Sequence, residues 1–221
     1  MAGPYDAVLF DFDGVLVDSE PLHFECWNQI LHPYGFQLSW EEYEANCIGV
    51  SDRAMISALC RVAGRDDWFD GIWQQYPRKK EIFRSRMAAD LPMPADTREL
   101  LLELAAQMPI ALVSSSGRLE IEPALEAAGV RSAFTAIVTG DDVRQLKPSP
   151  EPYQTAAARL GIRTALVVED SEAGMESGRA AGFDVLAIRH ATQTASLVRQ
   201  RLAEPMPRLG DLRKTHAEKR K

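Results

Sequence analysis

The chain has 221 residues, 46% of them hydrophobic, which suits one large domain or a core with a modest insert. A formal net charge of −7 argues against nucleic acid or an anionic membrane as the main partner. No apolar run approaches bilayer-spanning length, and the short one near the start carries Asp11 inside it, which argues against a signal peptide. Three scattered cysteines, Cys26, Cys47 and Cys60, have no metal-ligand spacing and read as reduced thiols of a cytoplasmic protein. The basic stretch Arg213 to Lys221 reads as a solvated tail.

The first element is the organising one. Val8-Leu9-Phe10 is apolar without alternation, the pattern of a strand buried on both faces of a parallel sheet. It runs into Asp11-Phe12-Asp13-Gly14, where such sheets build their sites. Side chains two apart on an extended chain point the same way, so Asp11 and Asp13 can face one ligand. Two such charges need a cation or a shared proton to compensate them, and hard oxygen ligands favour Mg²⁺. Gly14 frees the main chain to turn sharply beside the ion.

Ser19 and Pro21 then start a helix, and from there to about Arg86 the patterns are helical. Leu22, Cys26, Trp27, Ile30 and Leu31 form one apolar face, and Met55, Ile56, Leu59, Cys60 and Val62 another. This predicts a small helical bundle inserted over residues 18–89, with residues 1–17 and 90–221 making the sheet domain. Leu91-Pro92-Met93-Pro94 is the linker back, after which Asp96 or Thr97 can cap a helix through Leu104.

Four more buried strands follow. Ile110–Val113 ends in Ser114-Ser115-Ser116-Gly117 and leads to a helix from Leu119 to Ala128. Ala136 to Gly140 is the third, with Lys147-Pro148-Ser149-Pro150 leading into a helix from Glu151 to Leu160. Ala165–Val168 ends in Glu169-Asp170, and Ser171 caps a helix in which Gly174 and Gly178 make a narrow face. Asp184 to Ile188 is the fifth. Strands alternating with helices mean an α/β doubly wound parallel sheet.

The polar clusters all lie just after strands, on one edge of such a sheet, so they can converge. Asp11, Asp13, Glu169 and Asp170 could hold a hard cation. A helix N-terminus preceded by serines offers N–H groups and hydroxyls to phosphate oxygens, and Lys147 adds a point charge.

In this order, Asp11-Phe12-Asp13-Gly14-Val15-Leu16, Val113-Ser114-Ser115-Ser116, Lys147-Pro148-Ser149-Pro150 and Val168-Glu169-Asp170-Ser171 resemble the four motifs of the haloacid dehalogenase-like superfamily. The resemblance spans Tyr5 to Ile188. Asp18-Ser19-Glu20-Pro21-Leu22-His23 is similar to its β-phosphoglucomutase-like subfamily of phosphatases and mutases. It implies a Rossmann-like core with an inserted helical cap domain. Asp11 would be the nucleophile, forming an aspartyl-phosphate, and Asp13 the general acid and then general base. The Asp13 carbonyl, Asp11 and Asp170 would ligate Mg²⁺, with Glu169 ligating directly or through water. Ser114 and Lys147 would bind the transferring phosphoryl group, assisted by Ser115 and Ser116.

Substrate recognition is expected from His23, Arg53 and Lys79 in the insert; His23 and Lys79 match positions used in β-phosphoglucomutases. Arg78 reads as a wet surface side chain. Asp52 stands where the mutases have an arginine for a second phosphate, and Arg53 is one residue, about a hundred degrees of helix, away. The expected function is a Mg²⁺-dependent phosphatase of a small phosphorylated metabolite such as a sugar phosphate, acting as a cytoplasmic monomer. A phosphosugar mutase and a non-catalytic binder on the same fold are the alternatives.

Overall fold

The computed structural model describes residues 4–48 and 50–204, so Gly49 and the basic stretch from Arg213 lie outside the described residues. In chain order the elements are β1 (Ala7–Phe10), α1 (Glu20–Leu31), α2 (Trp40–Asn46), α3 (Asp52–Val62), α4 (Phe69–Trp73), α5 (Tyr76–Ala89) and α6 (Ala95–Ala105). There follow β2 (Ile110–Val113), α7 (Arg118–Ala127), β3 (Ala136–Val138), α8 (Glu151–Leu160), β4 (Ala165–Glu169), α9 (Glu172–Ala180), β5 (Asp184–Ala187) and α10 (Thr194–Ala203). They fall into two compact units.

The sheet unit draws on Met1–Leu16, Pro94–Gly117 and Ser132–Lys221, as far as these are described. Its five strands lie in the order β3-β2-β1-β4-β5, each pairing parallel to its neighbours. Every residue of β1, β2 and β4 is buried, which is why these strands read as unbroken apolar runs. The edge strand β5 is exposed at both ends. Successive strands run to one side as far as β3, and the chain then returns to place β4 on the other side of β1. Ligands bind beyond the carboxyl ends of the strands at such a reversal.

Two local details place the helices of this unit. Gly161 ends α8 in the left-handed conformation at φ 67°, the usual glycine stop. A Cβ on Gly178 of α9 would stand 3.0 Å from Val167 and Val185, so this face packs tightly on β4 and β5. The start of α6 differs from expectation, because neither Asp96 nor Thr97 caps it. The helix begins at Ala95 with Pro94 as the capping residue, since proline's restricted φ (−56°) with ψ 140° already sets the entry. Asp96 instead sits in the first turn, beside the positive end of the helix dipole, and accepts from the Thr97 amide at 2.9 Å.

The helical unit draws on Val17–Met93 and Arg118–Arg131. Its core gathers Trp27, Ile30, Leu31, Tyr43, Met55, Ile56, Cys60 and Ile72, the apolar faces of α1 and α3 among them. Val62 departs from its expected face: on the last turn of α3 it is 90% exposed. Ser39 and Glu42 form a reciprocal capping box at α2, and Ser51 caps α3 by accepting from the Ala54 amide at 3.3 Å. Helix α7, which follows β2 in sequence and was expected with the sheet, groups with these helices. It packs on α5, and Lys80 reaches Glu120 at 2.5 Å. No helix among the described residues is long and apolar enough to cross a membrane.

Candidate active site

The site of the sheet unit forms where β1, β2 and β4 end. The Asp11 amide donates to the Val168 carbonyl at 3.0 Å, carrying the β1–β4 pairing one residue past the strand. The chain then turns at Gly14, which adopts φ 71°. A Cβ there would collide with the Asp170 carboxylate as well as strain the backbone, so glycine is required twice over. After β2, the Ser114 amide donates to the Val138 carbonyl at 2.9 Å, and its hydroxyl accepts from the Ser116 amide at 3.0 Å. The Ser116 hydroxyl donates to Asp13 Oδ2 at 3.4 Å, joining the first two motifs. Ser115 is exposed.

Lys147 lies at the centre. Its ammonium donates to Asp11 Oδ1 at 2.6 Å, Glu169 Oε1 at 2.5 Å and the Val113 carbonyl at 2.8 Å, which uses all three protons. The three acceptors come from the ends of β1, β4 and β2. Burial opposes its charge, but the two carboxylates outweigh burial and hold Lys147 above the ordinary lysine range. Glu169 is completely buried, and both of its oxygens accept hydrogen bonds. Its Oε1 also accepts from the Tyr153 hydroxyl at 2.7 Å. Its Oε2 accepts from the amides of Asp170 and Ser171 and from the Ser171 hydroxyl, at 3.1 to 3.3 Å.

Oxygens of Asp11, Glu169 and Asp170 lie within 4.8 Å of one another. Burial first, and then the charge of Glu169, push the Asp11 carboxyl well above its usual range, although Lys147 pulls it down. Partial loss of water, followed by the charge of Glu169, raises Asp170 to about 6. Carboxylates crowded beyond what one lysine neutralises, with no His or Cys among them, are a donor set that fits a hard divalent cation. The Asp13 side chain lies outside this group of three, although sequence placed all four carboxylates together.

The expected recognition residues of the helical unit are differently placed. Lys79 is 2% exposed, with Nζ 2.7 Å from His23 Nδ1 and 3.6 Å from Asp52 Oδ2. An ammonium can only donate, so His23 accepts through Nδ1 and is the neutral imidazole. Burial, then the charge of Lys79, lowers its pKa to about 4. His23 stacks on Phe83 with ring centroids 4.1 Å apart. Asp52, the departure noted in the sequence, also accepts from the Trp27 indole at 2.8 Å. Arg53 is separate from this cluster: its guanidinium lies over the Phe69 and Trp73 rings at 4.9 and 5.3 Å. With Ser51, Ala54, Ser57 and Phe69 it lines an open cavity of about 460 Å³. Arg78 is exposed.

Three residues of the sheet site escaped the sequence reading. Tyr153 lies unremarked inside the helix expected from Glu151 to Leu160. Ser171 was read only as a helix cap, which it is, accepting from the Gly174 amide at 3.1 Å, but it also holds Glu169. Gly174 was read as a packing glycine; a Cβ there would collide with the Glu169 carboxylate. The one signal available was a tyrosine where a phenylalanine would pack as well.

Comparison with known proteins bears on the family and the fold. The family model of haloacid dehalogenase-like hydrolases matches residues 8–188. The phosphorylated carbohydrates phosphatase of Thermotoga maritima is 28% identical over 181 residues, covering 81% of this chain and 82% of the relative. The fructose-1-phosphate phosphatase YqaB of Escherichia coli is 28% identical over 187 residues, covering 84% and 97%. Among solved structures, a β-phosphoglucomutase candidate from Thermotoga maritima superposes with a TM-score of 0.72 at 24% identity, covering 88% of this chain and 99% of that one. With the motifs, the sheet order and the family match in agreement, the chain belongs to the haloacid dehalogenase-like hydrolases.

Proposed function

We propose that this chain is a Mg²⁺-dependent phosphatase of a small phosphorylated metabolite, a sugar phosphate or similar, working through an aspartyl-phosphate on Asp11. The observation that carries the reading is Lys147, buried and hydrogen-bonded to Asp11 at 2.6 Å. It sets a cation beside the expected nucleophile, where the charge of a phosphoryl group would gather. The named activities of the relatives, on phosphorylated carbohydrates and on fructose 1-phosphate, support the substrate class.

In this reading an Asp11 carboxylate oxygen bonds to phosphorus as the bond to the departing alcohol oxygen breaks. Asp13 gives its proton to that oxygen. Asp13 then takes a proton from water as the water oxygen attacks phosphorus, which releases inorganic phosphate and restores Asp11. Ser114 and Lys147 bind the phosphoryl oxygens, with Ser115 and Ser116 beside them. Asp11, Asp170 and the main-chain carbonyl of Asp13 would hold Mg²⁺, which supplies charge neutralisation to the carboxylates and the phosphoryl group. Glu169 contributes its charge from behind, because both of its oxygens are already engaged by protein donors.

His23, Arg53 and Lys79 are assigned to recognition of the alcohol part. Asp52 favours hydrolysis over phosphosugar isomerisation: it pairs with Lys79 and so offsets a cation that a second phosphate would need. A cytoplasmic monomer is part of the proposal.

The test is release of inorganic phosphate from a panel of hexose and pentose phosphates, with Mg²⁺ and with EDTA. Release with Mg²⁺, its loss in EDTA, and its abolition in Asp11→Asn are expected. Full activity in EDTA would refute the metal assignment, and near-normal turnover by Asp11→Asn the covalent one. Conversion of β-glucose 1-phosphate to glucose 6-phosphate with little free phosphate would favour the mutase.

A further inference from the structure

Tyr153 has no part in the chemistry above, yet its hydroxyl reaches into it. The residue lies in the first turn of α8 and is completely buried, its ring packed among Leu9, Val113, Val138 and Val167. Phenylalanine would fill that space equally. A hydroxyl in such surroundings costs stability unless it is bonded, and here its partner is Glu169 Oε1 at 2.7 Å. That is the oxygen to which Lys147 donates at 2.5 Å. The remaining approaches to Glu169 are closed: Oε2 is taken by Asp170 and Ser171, and Gly174 leaves just the room the carboxylate occupies.

Lys147 has no spare proton: Asp11, Glu169 and Val113 take all three. To bind a phosphoryl group it must give up one of these bonds. Two donors compete for the lone pairs and charge of one acceptor oxygen, so each is held less firmly than it would be alone. We propose that Tyr153 is a positioning residue whose hydroxyl, by sharing Glu169 Oε1 with Lys147, keeps the lysine aimed between Glu169 and Asp11 and free to exchange onto the phosphoryl group. The effect falls on the transition state, where charge on the phosphoryl oxygens is greatest. The proposal rests on the phosphatase reading.

The test is Tyr153→Phe, which removes one oxygen and keeps the ring, compared with wild type alone and in a Glu169→Gln background. The expected result is a kcat about tenfold lower, KM within about threefold, and a Kd for orthovanadate, by calorimetry with Mg²⁺, weakened about tenfold. Inorganic phosphate should bind within about threefold of wild type, and Tyr153→Phe should add little to Glu169→Gln. An unchanged orthovanadate Kd, a rise in KM at constant kcat, or effects that add fully to Glu169→Gln would each overturn the proposal. If Glu169→Gln fails to fold, the orthovanadate Kd of Tyr153→Phe decides. A wild type that binds orthovanadate but releases no phosphate sinks the phosphatase reading, while the same calorimetric comparison still judges Tyr153.

Discussion

Lys147 of the sheet unit and Lys79 of the helical unit are both almost wholly buried, with side-chain exposures of 7% and 3%. Burial penalises the charge of each. Lys147 has carboxylates at 2.6 and 2.5 Å, and they raise its pKa above the ordinary range. Lys79 has one carboxylate at 3.6 Å and a neutral imidazole at 2.7 Å, and burial prevails, so its pKa falls. The number and distance of counter-charges, rather than depth, thus decide how firmly a buried lysine keeps its proton. Lys147 is a fixed cation, suited to binding phosphoryl oxygens. Lys79 is already partly offset by Asp52.

Removing each cation sharpens the contrast, and Lys147 should show the larger effect. Lys147→Met leaves Asp11 and Glu169 facing each other without a cation, and breaking a buried pair from one side typically costs about 3–5 kcal/mol. Denaturant unfolding in EDTA should show that loss, with turnover lower by at least ~10³-fold in Mg²⁺. A variant of wild-type stability would show that Lys147 does not relieve the carboxylates.

Acid probes the other side. His23 is depressed to about 4, so the unfolded state, whose imidazole titrates near 6.5, takes the proton first. Its contribution is therefore complete above pH 6.5 and is lost as pH falls from 6.5 toward 4, by on the order of 3 kcal/mol. Unfolding free energies of wild type and His23→Gln across that window should converge at low pH. Parallel curves would mean that His23 is not held neutral by burial and Lys79.

The smallest effect is expected from Lys79→Met. Asp52 keeps the Trp27 indole and is itself part-exposed, so replacing the buried ammonium with a thioether of similar length should cost under ~1 kcal/mol. A loss as large as that of Lys147→Met would erase the contrast between the two lysines.

The sheet, and the edge on which its polar groups gather, are written in the local pattern of the chain. Strands buried on both faces carry no polar residue until they end, so Asp11, Ser114 and Glu169 mark the strand ends within the apolar runs themselves. The bend at Gly14, the cap at Ser171 and the helix between Glu151 and Gly161 were legible for the same local reason. The pairings inside the site join residues far apart in the chain, and no local pattern announces them. Tyr153 meets Glu169 across 16 residues and Lys147 meets Asp11 across 136, while Asp52 and Lys79 pair between separate helices. Helical periodicity assigns a residue to a face; whether a buried hydroxyl or charge on that face finds a partner is set by what the packed neighbours bring to it, and that appears only once the elements are assembled.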